Sequence, residues 1–95
     1  MTNGFGLSGT DLWFSRACKA LGHPARLRIF WELAQGQCMC GNLVERLPLA
    51  QSTVSQHVKV LREAGLIIGT MKGTATNYQL DRRALELLKQ MVSEL

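Results

Sequence analysis

The sequence of 95 residues predicts a mainly α-helical fold that carries one small β-hairpin. Apolar residues recur at helical spacing in five segments that Gly or Pro residues separate. Two β-type runs, 66–71 and 74–80, flank Lys72-Gly73 and predict the hairpin, in which Tyr78 and Leu80 point inward. A compact helix is followed, after a short turn, by a helix with a polar face, which is typical of a helix-turn-helix.

Length and composition fit one small domain. Hydrophobic residues make up 46% of the chain, which is too many for a disordered protein. We expect residues 1–95 to form a single domain with residues 1–9 as a flexible arm. No apolar run is long enough to cross a membrane, and the first residues lack a basic start and an apolar core. We therefore expect a cytoplasmic protein without a membrane partner.

The two end helices are predicted to carry more apolar surface than one monomer covers. The first starts near residues 8–11, with Ser8 or Thr10 as its cap, and continues to Leu21. The last covers residues 81–95 and starts at an N-cap Asp81. Their surplus of Leu, Trp, Phe, Met and Val side chains predicts a homodimer that forms through the first and last helices.

The segments between the end helices complete the architecture. Pro24 suits the first turn of a second helix over residues 25–34. Residues 37–41 form a short segment that can be an extended linker, and a compact third helix follows over residues 42–47. Pro48-Leu49 then makes the turn into the fourth helix. Helix, helix, helix-turn-helix, hairpin and helix is the order of a winged helix-turn-helix, with the hairpin as its wing.

The stretch from Leu49 to Leu66 predicts the helix around which the chain is organised. Gln51-Ser52 offers a hydroxyl N-cap, and Gly65 stands where a helix ends in a left-handed residue. The apolar positions Val54, Val58 and Leu61 share one face. The other face is polar and carries Ser52, Thr53, Ser55, Gln56, Lys59 and Arg62.

The first two turns of that polar face hold hydroxyls and an amide but no carboxylate. An ordinary solvated helix mixes Glu with Lys, whereas a helix in the DNA major groove needs short donors and acceptors near its N-terminus. Gln56 can bond an adenine edge with both ends of its amide, and Lys59, Arg62 and Lys72 can contact phosphates. From Arg46 to Arg83 there are six basic residues and two acidic ones, which favours a polyanionic partner.

Three segments resemble one family of bacterial repressors. The segments ALGHPARLRIFWEL, LVERLPLAQSTVSQHVKVLREAGLI and GTATNYQL, within about residues 17–80, are similar to the ArsR/SmtB type. The resemblance implies a homodimer on an imperfect palindrome of double-stranded DNA, released when an inducer binds. It implies recognition-helix roles for Ser52, Thr53, Ser55, Gln56 and His57, and wing-tip roles for Lys72, Gly73 and Thr74. His57 can equally be a packed or phosphate-bonded histidine.

The chain has three cysteines, Cys18, Cys38 and Cys40. An odd number of cysteines, in a chain without a visible export signal, argues against a disulfide framework. Cys38-Met39-Cys40 looks like the metal-binding pair of arsenic- and lead-type members of the family, and Cys18 would be the third ligand. Thiolates suit As(III), Cd(II), Pb(II) or Zn(II). Counted from the Ser-x-His signature, however, the family's pair would fall on Met39 and Gly41. Three interpretations stay open: an inducer site for such an ion, a redox switch, or buried apolar packing.

Other chemistry is disfavoured. The last helix has no histidine, so the zinc site that some members of the family carry there is not expected. A Cys–His pair without an oxyanion environment does not make an enzyme, and no glycine-rich loop follows a strand. No cofactor is therefore expected to be required. The remaining alternative is a DNA-binding or protein-binding module without an inducer site.

Overall fold

The computed structural model describes residues 4–36 and 38–95, and for residues 38–41 it describes the backbone only. The described elements follow one another as α1 (Gly9–Leu21), α2 (Pro24–Ala34), β1 (Cys38–Met39), α3 (Cys40–Arg46), α4 (Gln51–Glu63), β2 (Ile67–Lys72), β3 (Ala75–Leu80) and α5 (Arg82–Ser93). This order and the β2–β3 hairpin confirm the predicted mainly α-helical, winged helix-turn-helix fold.

Three of the helices have side-chain caps. Ser8 precedes α1 in a capping box, in which its hydroxyl accepts from the Asp11 N–H at 3.0 Å and its own N–H donates to the Asp11 carboxylate at 3.2 Å. Pro24 occupies the first turn of α2, as predicted, and His23 is its N-cap. Asp81 accepts from the Arg83 N–H at 3.0 Å and thereby caps α5, which confirms the sequence prediction.

Two predicted helix starts are wrong. The third helix begins at Cys40, two residues before the predicted start at Asn42. The N-cap of α4 is Ala50, with extended φ and ψ of −67° and 152°, and not Ser52, which lies inside the first turn. The pattern of polar residues identified the nearest hydroxyl, but the turn after Pro48 already brings Ala50 to the cap position. No side chain caps α4.

The sheet is antiparallel, with strand order β1-β3-β2. The predicted hairpin is confirmed, with Lys72 paired with Ala75 across a two-residue tip. Gly73 is the first tip residue and has a φ of +63°, which glycine adopts without strain. Within the linker predicted over residues 37–41, Cys38 and Met39 form β1 and pair with Tyr78 and Asn77 of β3. Gln37 lies outside the described residues.

The core lies between α1, α2, α3, α4 and the base of the hairpin. Buried apolar residues come from each of these elements: Ala17, Ala20, Ile29, Phe30, Leu33, Leu43, Leu47, Val54, Val58, Leu61, Leu66, Ile67 and Leu80. Leu80 is buried as predicted, while Tyr78 is half-buried and packs against this core. Gly65, with a φ of +80°, ends the α4 segment in the left-handed conformation, as predicted. Within the described part of the chain, no helix is long and apolar enough to cross a membrane.

Candidate nucleic-acid interface

Helix α4 is held in place by one buried stripe. Val54 and Leu61 are fully buried and Val58 is 2% exposed, which confirms the predicted apolar face. The three side chains lie at i, i+4 and i+7 and belong to the core that α2, α3 and the hairpin also line. The opposite face of α4 is thereby directed at solvent, and its orientation is fixed by packing.

The predicted DNA-binding residues of α4 lie mainly on that outer face. Five of them are exposed: Ser52, Ser55, Gln56, Lys59 and Arg62. Thr53 is half-buried. Ser52, Gln56 and Lys59 follow one another at i, i+4 and i+7 and form a single polar stripe. The first carboxylate on the helix is Glu63, in its last turn, 4.0 Å from the Lys59 ammonium.

The start of α4 adds positive potential to this stripe. The first turn contains no acidic residue and has no side-chain cap. Its first N–H groups therefore lack side-chain acceptors, and the positive end of the helix dipole is left without a compensating charge. A helix terminus of this kind attracts phosphate oxygens, which complements the hydroxyls that follow it.

The wing supplies a second set of exposed residues. Lys72 and Thr74 flank Gly73 at the hairpin tip, and all three are exposed. Met71, the preceding residue, is 67% exposed, and its sulfur accepts a hydrogen bond from the Thr76 hydroxyl at 3.4 Å. The tip thus presents one cation on a short, tightly connected hairpin.

His57 is placed differently from the other predicted readers. It is partly buried, and its ring centroid lies 4.5 Å from that of His23, which caps α2. Burial is the main cause that lowers the pKa of His57, and the nearby His23 and Arg26 lower it further. This environment favours a packed histidine over a histidine that contacts DNA bases.

The Glu32 carboxylate links α2 to the end of α3, a contact that no sequence pattern predicted. Glu32 accepts from Arg28 at 3.0 Å and from Arg46, at the end of α3, at 3.1 Å. The hydrogen bond from Arg28 is the largest of the interactions that lower the pKa of Glu32, and Arg46 acts in the same direction. The i, i+4 spacing of Arg28 and Glu32 was visible in the sequence, but the partner 14 residues away was not.

The three cysteines lie on three different elements. Cys18 is an exposed free thiol on α1. Cys38 begins β1 and Cys40 begins α3, and the side chains of both lie outside the described part of the structure. The predicted ligand set of Cys18, Cys38 and Cys40 therefore stays a prediction.

The fold and this surface together define a class, the winged helix-turn-helix DNA-binding proteins. A family described as a helix-turn-helix domain matches residues 21–70, slightly more than half of the chain. The HTH-type transcriptional regulator CmtR of Mycobacterium tuberculosis is 39% identical over 82 residues, which cover 82% of this chain and 70% of that protein.

Solved structures of transcriptional regulators have the same fold. A possible transcriptional regulator for arsenical resistance is 30% identical, with a TM-score of 0.75 over 83% of this chain and 82% of that chain. An ArsR-like transcriptional regulator from Rhodococcus sp. RHA1 has a TM-score of 0.82 over 92% of this chain and 82% of that chain. At 22% identity, the Rhodococcus protein supports the fold alone.

The chain belongs to the ArsR/SmtB family of DNA-binding transcriptional repressors. The resemblance drawn from its sequence is confirmed. Proteins of this family are regulators and not enzymes, which confirms that prediction as well.

Proposed function

We propose that this repressor binds an imperfect palindrome as a homodimer and releases it when a thiophilic ion such as As(III) binds cysteine thiolates. The observation that carries the DNA-binding part is the outer face of α4. An uncapped, acid-free first turn leads into the exposed polar stripe of Ser52, Gln56 and Lys59. Such a surface combines attraction for phosphate with groups that can bond base edges.

Base reading and phosphate anchoring divide between the residues of this surface. Gln56 reads an adenine edge, and Ser52, Thr53 and Ser55 serve bases or phosphates. Lys59, Arg62, Lys72 and Thr74 contact the backbone, which fixes the register but carries no sequence information. His57 supports α4 from its inner side through His23.

The dimer is proposed from apolar surface that the monomer leaves uncovered. On α5, Val92 is 52% exposed, and Leu95, beyond its end, is 95% exposed. Leu87 and Met91 of α5 and Phe14 of α1 are only half-buried. Burial of these side chains against a second copy gains about 25 cal/mol for each Å² removed from water. A two-fold axis between the end helices would present two α4 helices to successive major grooves about 34 Å apart.

The switch is proposed from the position of the Cys38–Cys40 segment. Its strand β1 is hydrogen-bonded to β3 of the wing, and Cys40 is the first residue of α3. An ion held by Cys38, Cys40 and the Cys18 thiol of α1 would constrain the wing and the helix-turn-helix relative to the dimer helix. A solved relative whose description names arsenical resistance supports As(III) as the first ion to test.

The strength of release is limited by linkage. The ion can weaken DNA binding only by the difference between its affinities for the free and the DNA-bound forms, commonly about 1–3 kcal/mol. By the same linkage, operator DNA must weaken ion binding by an equal factor.

The test is a titration of the operator complex with arsenite, with cadmium and with peroxide, followed by fluorescence anisotropy. Wild type is compared with Cys18→Ser, Cys38→Ser and Cys40→Ser, and with Ser15→Ala as a control at an exposed position on α1. We expect arsenite to release DNA from wild type and from the control, and each cysteine variant to abolish release.

Two results would contradict the ion-responsive switch. Release by peroxide alone, lost in Cys18→Ser, would identify a redox switch that joins Cys18 to Cys38 or Cys40 in a disulfide. A disulfide within the Cys-x-Cys pair is disfavoured because the short loop strains the dihedral angle. No response to any of the three reagents would leave Cys38 and Cys40 with a packing role and the exposed Cys18 without a role in the switch.

A further inference from the structure

A groove of about 450 Å³ lies beside α4, between its C-terminal half, α1 and the start of α2. Its lining includes Arg16 and Lys19 of α1, Arg26 of α2, and Val60, Glu63 and Ala64 along and just after α4. The lining does not include Ser52, Gln56 or Lys59 of the polar stripe, and it does not include Cys18. Its volume is within the range of small-molecule sites.

The floor of the groove is apolar. Val60 is 37% exposed although α4 buries its other two valines, Val54 and Val58, almost completely. Ala64 follows four residues later on the same side of the chain. An inorganic ion or a DNA phosphate gains nothing from such a floor, whereas a ligand with a hydrocarbon or aromatic body does.

The rim of the groove is cationic. The Arg26 guanidinium donates to the carbonyl oxygens of Ala20 and Lys19, which fixes it at the end of α1. Arg16 and Lys19 have no ion-pair partner among the residues that the structure describes. Glu63 supplies the one carboxylate among the lining residues. This carboxylate lies 4.0 Å from the ammonium group of Lys59, which is not a lining residue.

We propose that this groove binds a small organic anion that has an apolar body. The carboxylate or other acidic head pairs with Arg16 and Lys19, while the body covers Val60 and Ala64. The apolar floor and the unpaired cations act together: the cations select for an anion, and the floor selects against a fully hydrated one. A medium-chain carboxylate is the simplest ligand that satisfies both.

Such a ligand would touch α1 and α4 at once. This second step rests on the proposed function, in which α1 forms the dimer and α4 reads DNA. An anion bound between these helices changes the orientation of α4. The operator affinity then changes by the difference between the anion's affinities for the free and the DNA-bound protein. This route to release does not use the thiols.

The binding test uses the DNA-free chain, so that it is independent of the proposed operator. Methyl groups are followed by NMR while octanoate, and separately octanol, is added. We expect octanoate to shift the methyl signals of Val60 and Ala64 saturably and octanol to bind at least tenfold more weakly. The double variant Arg16→Gln/Lys19→Gln should weaken octanoate binding at least tenfold, and Lys89→Gln on α5, which also removes a cation, should leave it unchanged.

Three outcomes would overturn the site: equal binding of octanoate and octanol, shifts spread over the core rather than the groove, or no saturable shift. A second copy or a DNA backbone is the competing occupant. Loss of dimer or of DNA binding in Arg16→Gln/Lys19→Gln, without any octanoate binding by wild type, would assign the groove to that occupant. If octanoate binds as expected but leaves operator affinity unchanged, the coupling step is overturned.

Discussion

The imidazole rings of His23 and His57 lie with their centroids 4.5 Å apart, which joins the N-cap of α2 to the inner side of α4. His23 Nδ1 accepts a hydrogen bond from the Ala25 N–H at 3.1 Å, which caps α2. Burial is the largest cause of the lowered pKa of His57, and the neighbouring His23, at the N-cap of α2, and Arg26, within α2, act in the same direction. The neutral form of the His57 imidazole is therefore favoured.

This contact predicts a loss of stability in mild acid. The pKa of His57 is lowered in the folded chain from its ordinary value of 6.5, so the unfolded chain binds the proton more tightly. The contribution of His57 is fully present above pH 6.5 and is lost as the pH falls through the folded pKa. Urea unfolding between pH 5 and 8 should show this loss in wild type and a smaller one in His57→Gln. Equal pH dependence in both proteins would contradict the assignment.

Replacement of Gln56 tests base reading. Gln56→Ala should weaken operator binding by about 1–3 kcal/mol and relax the preference at one base pair, because a bidentate contact to a base edge is lost. Gln35→Ala removes the same amide from an exposed position just after α2 and should have no effect. Affinities for the operator, for its single-base variants and for random duplex decide the matter. An unchanged ratio of operator to random binding in Gln56→Ala would place this residue outside the groove.

Replacement of Lys72 tests phosphate anchoring by the wing. Lys72→Ala should weaken all duplexes alike and reduce the slope of log affinity against log salt by about 1, because one fewer phosphate is neutralised. Lys89→Ala on α5 removes an equivalent charge far along the chain and serves as the control. A change in base preference, or an unchanged salt slope, would argue against a backbone contact at the wing tip.

Neighbouring residues on α4 test how the helix is held. Leu61 is fully buried, and Leu61→Ala should lower the free energy of unfolding by about 2–5 kcal/mol through lost burial and a residual cavity. Val60 is 37% exposed, and Val60→Ala should change it by only about 0.5 kcal/mol. Denaturant titration measures both. Similar losses in the two variants would mean that α4 is rotated from the described orientation.

The sequence predicted the parts of the fold that depend on local pattern. Apolar spacing identified the buried face of α4, turn and cap residues identified Gly73 and Asp81 in their observed roles, and Ser8 was one of two predicted caps for α1. What it missed depends on contacts between distant segments. Strand β1 exists because β3 pairs with it from 38 to 40 residues further along the chain, since Met39 is opposite Asn77 and Cys38 is opposite Tyr78.

The same limit applies to the site. The outer polar face of α4 could be predicted from the sequence because all of its residues lie within one helix. The His23–His57 contact and the Arg46–Glu32 ion pair each join two helices, and no periodicity signals them. The N-cap of α4, Ala50, was missed because of a local preference: N-cap positions favour hydroxyl side chains, and the nearest one is Ser52.

Two copies of α4 are proposed to read one palindrome. Its most direct test is selection of bound sequences from random duplex DNA, followed by the stoichiometry of the selected complex in sedimentation. We expect an enriched inverted repeat whose half-site centres are about one helical turn, roughly 34 Å, apart, bound by two chains, with affinity that falls steeply with salt. A single chain on each duplex, or no enriched sequence, would rule out this mode of DNA binding.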